Sequence, residues 1–236
     1  MSELCSDEAT IDCEGLSVRA INQAVRAAVS SGAAHVVLRR PLARHNLGVA
    51  LPAGVRLTID GSAGYYVAGL NDGATVEVHG SAGWGAAESM RDGTVVIDGD
   101  AGNAVAASIR AGTVVVRGHA STRAGIAMKG GALLVGGDVG PMAAFMMQKG
   151  ILVVCGDAAD GVADSMYAGT VYVGGRAPSL GADAVDEEFS AADRELVFGL
   201  LERWKVPAPA SFRKLVAGRK LWNFQREDLH LWKSAL

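Results

Sequence analysis

The sequence predicts an all-β fold, a right-handed parallel β-helix of about seven 19-residue coils, closed by a capping helix before it and a helical, aromatic extension after it. Three observations predict it: a glycine that returns every 19 residues, apolar columns that travel with it at strand spacing, and a composition rich in glycine yet poor in aromatics. The glycines are Gly61, Gly80, Gly99, Gly118, Gly137, Gly156 and Gly175. Four residues before them stand Leu57, Val76, Val95, Val114, Leu133, Leu152 and Val171; two before them stand Ile59, Val78, Ile97, Val116, Val135, Val154 and Val173. Positions two apart share one face of a strand, so each repeat carries one strand with an apolar face. A period this short leaves no room for a strand, a helix and two loops. Successive strands must stack in parallel at about 4.8 Å, and identical residues then form ladders along the interior.

Other columns fit the same winding. Two residues after the glycine come Ala63, Ala82, Ala101, Ala120, Val139, Ala158 and Ala177, and ten after it Asn71, Met90, Ile109, Met128, Met147 and Met166. Seven after it come Ala68, Ala87, Ala106, Gly125, Ala144 and Ala163, where the chain turns a corner or the coils leave no space for a side chain. One before it the column is polar or small: Asp60, His79, Asp98, Arg117, Gly136, Cys155 and Gly174. A left-handed hexapeptide helix would repeat its apolar residue every six positions, which is not seen here. Calcium-binding nonapeptides and leucine-rich repeats lack their signatures as well.

Residues 1–40 read as an N-terminal cap, 41–182 as the coil stack and 183–236 as a C-terminal extension. In the cap, Ser17 starts a helix over 17–31, with Ile21 and Val25 on one face, and "HVVLRR" (35–40) is a strand that begins the first coil. Ser190 and Asp193 form a capping box for a helix over 191–204. Ser211 is expected to cap a short second helix ending at Gly218. The aromatics concentrate in this last part, either covering the final coil or, for Trp222, Phe224 and Trp232, docking on another subunit.

Composition narrows the function. A net charge of −3 gives no basic face for nucleic acid, and no apolar run is long enough to span a membrane. Cys5, Cys13 and Cys155 form no Cys-x-x-Cys pair, the N-terminus shows no signal peptide, and a cytoplasmic location is expected. The recurring Gly-x-x-Gly-x-x-x-Ala is not a phosphate loop, because a phosphate loop occurs once and opens a helix. His35, His45, His79, His119 and His230 have no metal-ligand spacing. Asp138 and Asp157 fall in one column of neighbouring coils, a spacing shared by paired glycosidase carboxylates and by a solvated outward ladder. Cys155 has no histidine beside it to activate it. Tyr65, Tyr66 and Trp84 either edge a binding surface or pack beneath the N-terminal helix. No catalytic, cofactor-binding or metal-binding set is expected. Charge is sparse between residues 61 and 175, which implies a flank covered by other chains.

Coils such as "GDAG…GTVVVRG" and "GGDVG…KGILVVCGD" resemble the GXGXG β-helix family, which includes the C-terminal domain of the glutamate synthase large subunit and the β-helical component of formylmethanofuran dehydrogenase. The likeness covers about residues 40–182, with alanine mostly replacing the third glycine of the motif. The flanks "CEGLSVRAINQAVRAAVSSGA", "RHNLGVALPAGVRLTIDGSAGYY", "FMMQKG" and "SLGADAVDEEFSAADRELV" resemble the stand-alone β-helix subunits of glutamate-synthase-like complexes, N-methylglutamate synthase among them. The resemblance implies a scaffold without catalytic residues or cofactor. It implies as partners a class II amidotransferase-like subunit and a glutamate-synthase-like subunit with FMN and iron–sulfur clusters. Two alternatives stay open: membership of a formyl-transferring complex, and a carbohydrate-active β-helix using Asp138 and Asp157.

Overall fold

The computed structural model describes residues 8–219. Cys5, Trp222, Phe224, His230 and Trp232 lie outside them, and so does the expectation that those aromatics dock on another subunit. Strands β1 (Glu8–Asp12), β2 (His35–Arg39), β3 (Arg56–Asp60), β4 (Asp72–Val78), β5 (Asp92–Ile97), β6 (Thr113–Val116), β7 (Lys129–Val135), β8 (Lys149–Val154) and β9 (Thr170–Val173) pair in parallel in chain order. Leu57 faces Val76, Val76 faces Val95, and the same 19-residue step repeats up to Leu152 and Val171. The protein is a β-solenoid of about seven turns, as the period requires.

The two inner columns are buried from Leu57 and Ile59 to Val171 and Val173, all at 0 or 1 % exposure. Full burial of a Val, Leu or Ile is worth roughly 1.5–3 kcal/mol, so this double ladder is the main apolar support of the stack. A second line of single bridges joins Ala63, Ala82, Ala101, Ala120, Val139 and Ala158 on the next side of each coil. Asn71 is the polar member of the buried methionine column, and its amide is satisfied by the backbone N–H and C=O of Ala74.

Glycine and alanine columns answer to different constraints. At Gly99 a Cβ would come 2.5 Å from Ser81 Oγ and 3.0 Å from the carbonyl carbon of Gly80, so the recurring glycine marks a close approach of coil on coil. Seven residues on, the constraint is conformational. Ala87 and Ala106 are buried with φ of 58°, in the left-handed region that costs an L-residue roughly 1–2 kcal/mol. Glycine at the third motif position would relieve that cost, and here the chain bears it in exchange for buried methyl groups.

Helix α1 (Val18–Ser30) connects β1 to β2. Ser17 caps it by accepting the Ala20 N–H at 3.2 Å, and Ile21 and Val25 close the core at this end. Asn22 ties the helix to the first coil, donating to the Asn46 carbonyl and accepting from Gly48 N–H. The stack therefore begins one strand before "HVVLRR". The acidic β1 carries little signal of its own and is paired because α1 carries the chain back beside it.

At the other end, β10 (Ala184–Glu187) leads into α2 (Ala191–Arg203), and the chain returns as β11 (Arg213–Ala217). The short helix expected after Ser211 is instead this strand, antiparallel to both β9 and β10. The open edge of β9 explains the difference. Its unpaired backbone groups need partners, and β11 supplies them while burying Leu215 completely at the end of the core. The Ser190–Asp193 capping box of α2 forms in both directions.

Candidate functional site

The outer face of the sheet carries a further column, three residues before each glycine, that the repeat pattern alone does not single out. It runs Thr58, Glu77, Val96, Val115, Leu134, Val153 and Tyr172, polar in the first coils and apolar thereafter. The apolar part forms a second core with Val197, Leu201, Val206 and Phe212, so α2 and the segment after it lie across the outside of the later coils. Phe189, Phe198 and Phe212 pack edge to face or tilted around this seam. The C-terminal aromatics within the described residues thus cover the flank of the stack rather than its last coil alone. Part of the sparse surface charge follows, because this flank is covered by the chain itself.

Asp193 fixes the start of α2 on that flank. Tyr172 Oη donates to its carboxylate at 2.6 Å, Ser190 Oγ at 2.6 Å and Lys214 Nζ at 3.1 Å. Burial works to raise its pKa, yet these hydrogen bonds outweigh burial and hold the carboxyl well below its ordinary value of 3.8. Burial and the Asp193 charge push the Tyr172 phenol up, so it stays a donor.

One residue after each glycine a second line of chemistry climbs the stack. Ser62 Oγ accepts the N–H of Ser81 at 3.1 Å, and Ser81 Oγ accepts that of Asp100 at 3.1 Å. Asp100 accepts from His119 N–H at 2.8 Å, His119 Nδ1 from Asp138 N–H at 3.0 Å, Asp138 from Asp157 N–H at 2.7 Å, and Asp157 from Arg176 N–H at 2.7 Å. Each side chain satisfies the backbone donor of the next coil. His119 must hold Nδ1 unprotonated to do so.

Asp138 and Asp157 are two rungs of this ladder. They line a shallow depression of about 370 Å³ with Arg176 and Pro178. The Arg176 guanidinium bonds Asp157 at 2.7 and 2.9 Å and lowers its pKa, which opposes the raised pKa a general acid needs. Cys155 is half-buried. It packs against the second core, and burial pushes its thiol up to about 11, so it is a neutral thiol at pH 7. Cys13 is fully buried, and burial raises its pKa too.

The early aromatics form an exposed stack. His45 lies on Tyr65 with centroids 4.4 Å apart, and Tyr65 on Trp84 at 5.1 Å. His45 Nδ1 also accepts the Tyr65 N–H. Tyr65 and Trp84 stay 46 and 54 % exposed, so neither is buried beneath α1, while Tyr66 turns partly inward. His35 bonds Thr58 and Glu8, and His79 is exposed. Among the described residues no three or more His, Cys, Asp or Glu side chains gather as metal ligands would, and no helix is long and apolar enough to cross a membrane. What the structure brings together is surface: a hydrogen-bonded ladder, an aromatic stack and a flank covered by helix α2. No protein-family model and no curated protein matches the chain.

Proposed function

We propose that the chain is a non-catalytic scaffold subunit of a heteromeric glutamate-synthase-like complex, N-methylglutamate synthase in the first place. It holds a class II amidotransferase-like subunit in position against a subunit with FMN and iron–sulfur clusters. The single observation that supports this reading is the unbroken 19-residue stack, in which side chains that resembled chemistry serve to join coil to coil. A rigid rod of repeats contributes extended lateral surface, the property a spacer between two catalytic subunits needs. The carbohydrate-active alternative loses support, because its two carboxylates already serve the coil-to-coil ladder.

The test is purification of the tagged chain from its own cells with mass spectrometry of what accompanies it. The expected result is two larger subunits, one yellow-brown with flavin and iron–sulfur absorption, while the isolated chain is colourless and inactive. Turnover or bound flavin in the isolated chain would overturn the reading. Molybdenum- or tungsten-enzyme subunits as companions would replace it with the formyl-transferring complex.

A further inference from the structure

Where the end of α2 meets the outer face of the early coils, a cleft of about 380 Å³ opens. Its wall carries four permanent cations, Arg56, Arg117, Arg203 and Lys205, against two carboxylates, Glu77 and Asp98. This excess of positive charge sits on a chain whose net charge is −3. Both carboxylates are engaged: Glu77 with Arg56 at 2.7 Å, Asp98 with Arg117 at 3.0 Å. Arg117 also donates to the carbonyls of Trp204 and Lys205, which satisfies the C-terminus of α2. Arg203 and Lys205 are left over. Among the described residues neither pairs with a carboxylate; Arg203 lies over the Trp204 ring, 5.4 Å from its centroid. His79 is exposed in the same cleft.

The helix dipole explains one or two cations at the end of α2. It does not explain why they face a pocket whose own carboxylates are already used. Val96 and the Trp204 indole supply apolar lining beside the charges, a place for the methylene groups of an acidic side chain. The cleft is shallow and its cations are exposed, so a free small carboxylate would remain hydrated there and gain little. A folded partner that covers the cleft removes that water, and the same pairs become stronger and selective. A nucleic-acid backbone requires cations along a track, whereas Asp60 and Asp98 interrupt the column of His79 and Arg117.

We infer that this cleft is the docking point for an acidic segment of a partner protein, an Asp- or Glu-bearing surface stretch whose carboxylates pair with Arg203 and Lys205. The inference rests on the scaffold reading and names one of its contact points. The probe is a synthetic glutamate-rich decapeptide, titrated into the purified chain by calorimetry at low and at physiological ionic strength, with sodium glutamate and a single-stranded oligonucleotide as parallel arms. Saturable peptide binding is expected, falling with salt and weakened about tenfold or more in the Arg203→Glu/Lys205→Glu double variant, while free glutamate and the oligonucleotide do not saturate. Both side chains are exposed, so the variant should melt as the parent does.

Absent peptide binding, equal affinity in the double variant, or tighter binding of the oligonucleotide would overturn the inference. The two readings fail separately. A complex that assembles with both larger subunits and is indifferent to the double variant removes the cleft alone. Peptide binding at the cleft by a chain that assembles with neither subunit removes the glutamate-synthase-like reading.

Discussion

The outer face of the early coils and that of the late coils share one backbone and differ in one column. Inside, Leu57 and Val76 do the same work as Leu133 and Leu152. Outside, Thr58 bonds His35 and Glu77 pairs with Arg56, whereas Val115, Leu134 and Val153 are fully buried under α2 and the segment that follows it. The inner columns therefore make the coil, and the outer column decides what lies on it. A solenoid can change its dressing along its length without changing its winding, and the boundary between the two halves is where the cationic cleft opens.

The largest effect is expected at Phe212, which is 5 % exposed in the second core. Phe212→Ala should cost about 3–5 kcal/mol in the docking of α2, measured by denaturant unfolding. Asp193→Ala should cost about 2–3 kcal/mol, because the carboxylate half of the capping box and the charge-assisted hydrogen bonds from Tyr172 and Lys214 are lost together. Its titration gives a direction as well. The folded-state pKa lies below 3.8, so the contribution of Asp193 is complete above that value and is lost as the pH falls below it. Acid unfolding followed by near-ultraviolet circular dichroism should show the parent losing stability in that range and Asp193→Ala losing less.

Smaller effects sharpen the contrast between coil and cover. Gly99→Ala should cost roughly 1–3 kcal/mol, since its Cβ meets the backbone of the coil beside it. Gly199→Ala should instead stabilise by about 0.5–1 kcal/mol, because Gly199 is exposed inside α2 and a Cβ there meets nothing within 4 Å. Asp138→Ala should cost about 1 kcal/mol by removing one rung, and Asp138→Asn, which keeps an acceptor, should cost less. At the polar end, Glu77→Ala should stay within about 1 kcal/mol, as an exposed ion pair would. Thermal melts of these variants on one buffer would rank them.

Much of the fold is legible in the sequence, and what is not has physical causes. The 19-residue step, the inner columns, α1 and the capping box of α2 follow from spacing and local hydrogen bonding, which a single chain displays directly. The Asp138–Asp157 spacing is legible too, but its meaning lies in the backbone N–H each side chain reaches, which depends on side-chain direction in the coil. Strand β11 escapes sequence reasoning because "RKLVA" has no preference strong enough to predict it. The open edge of β9 makes it a strand. The outer column is within reach of the sequence: its change from Thr58 and Glu77 to Val96 and beyond stands one position from the inner columns.

The coils hold themselves together, and α2 with the segment after it forms a separate cover seated on an apolar outer column, while β11 closes the open edge of β9. Amide hydrogen exchange on Phe212→Ala, read by mass spectrometry, tests this arrangement most directly. Protection is expected to fall over residues 191–212 while β4 to β8 exchange as slowly as in the parent. Uniform loss of protection through the coils, or an unchanged α2, would contradict it.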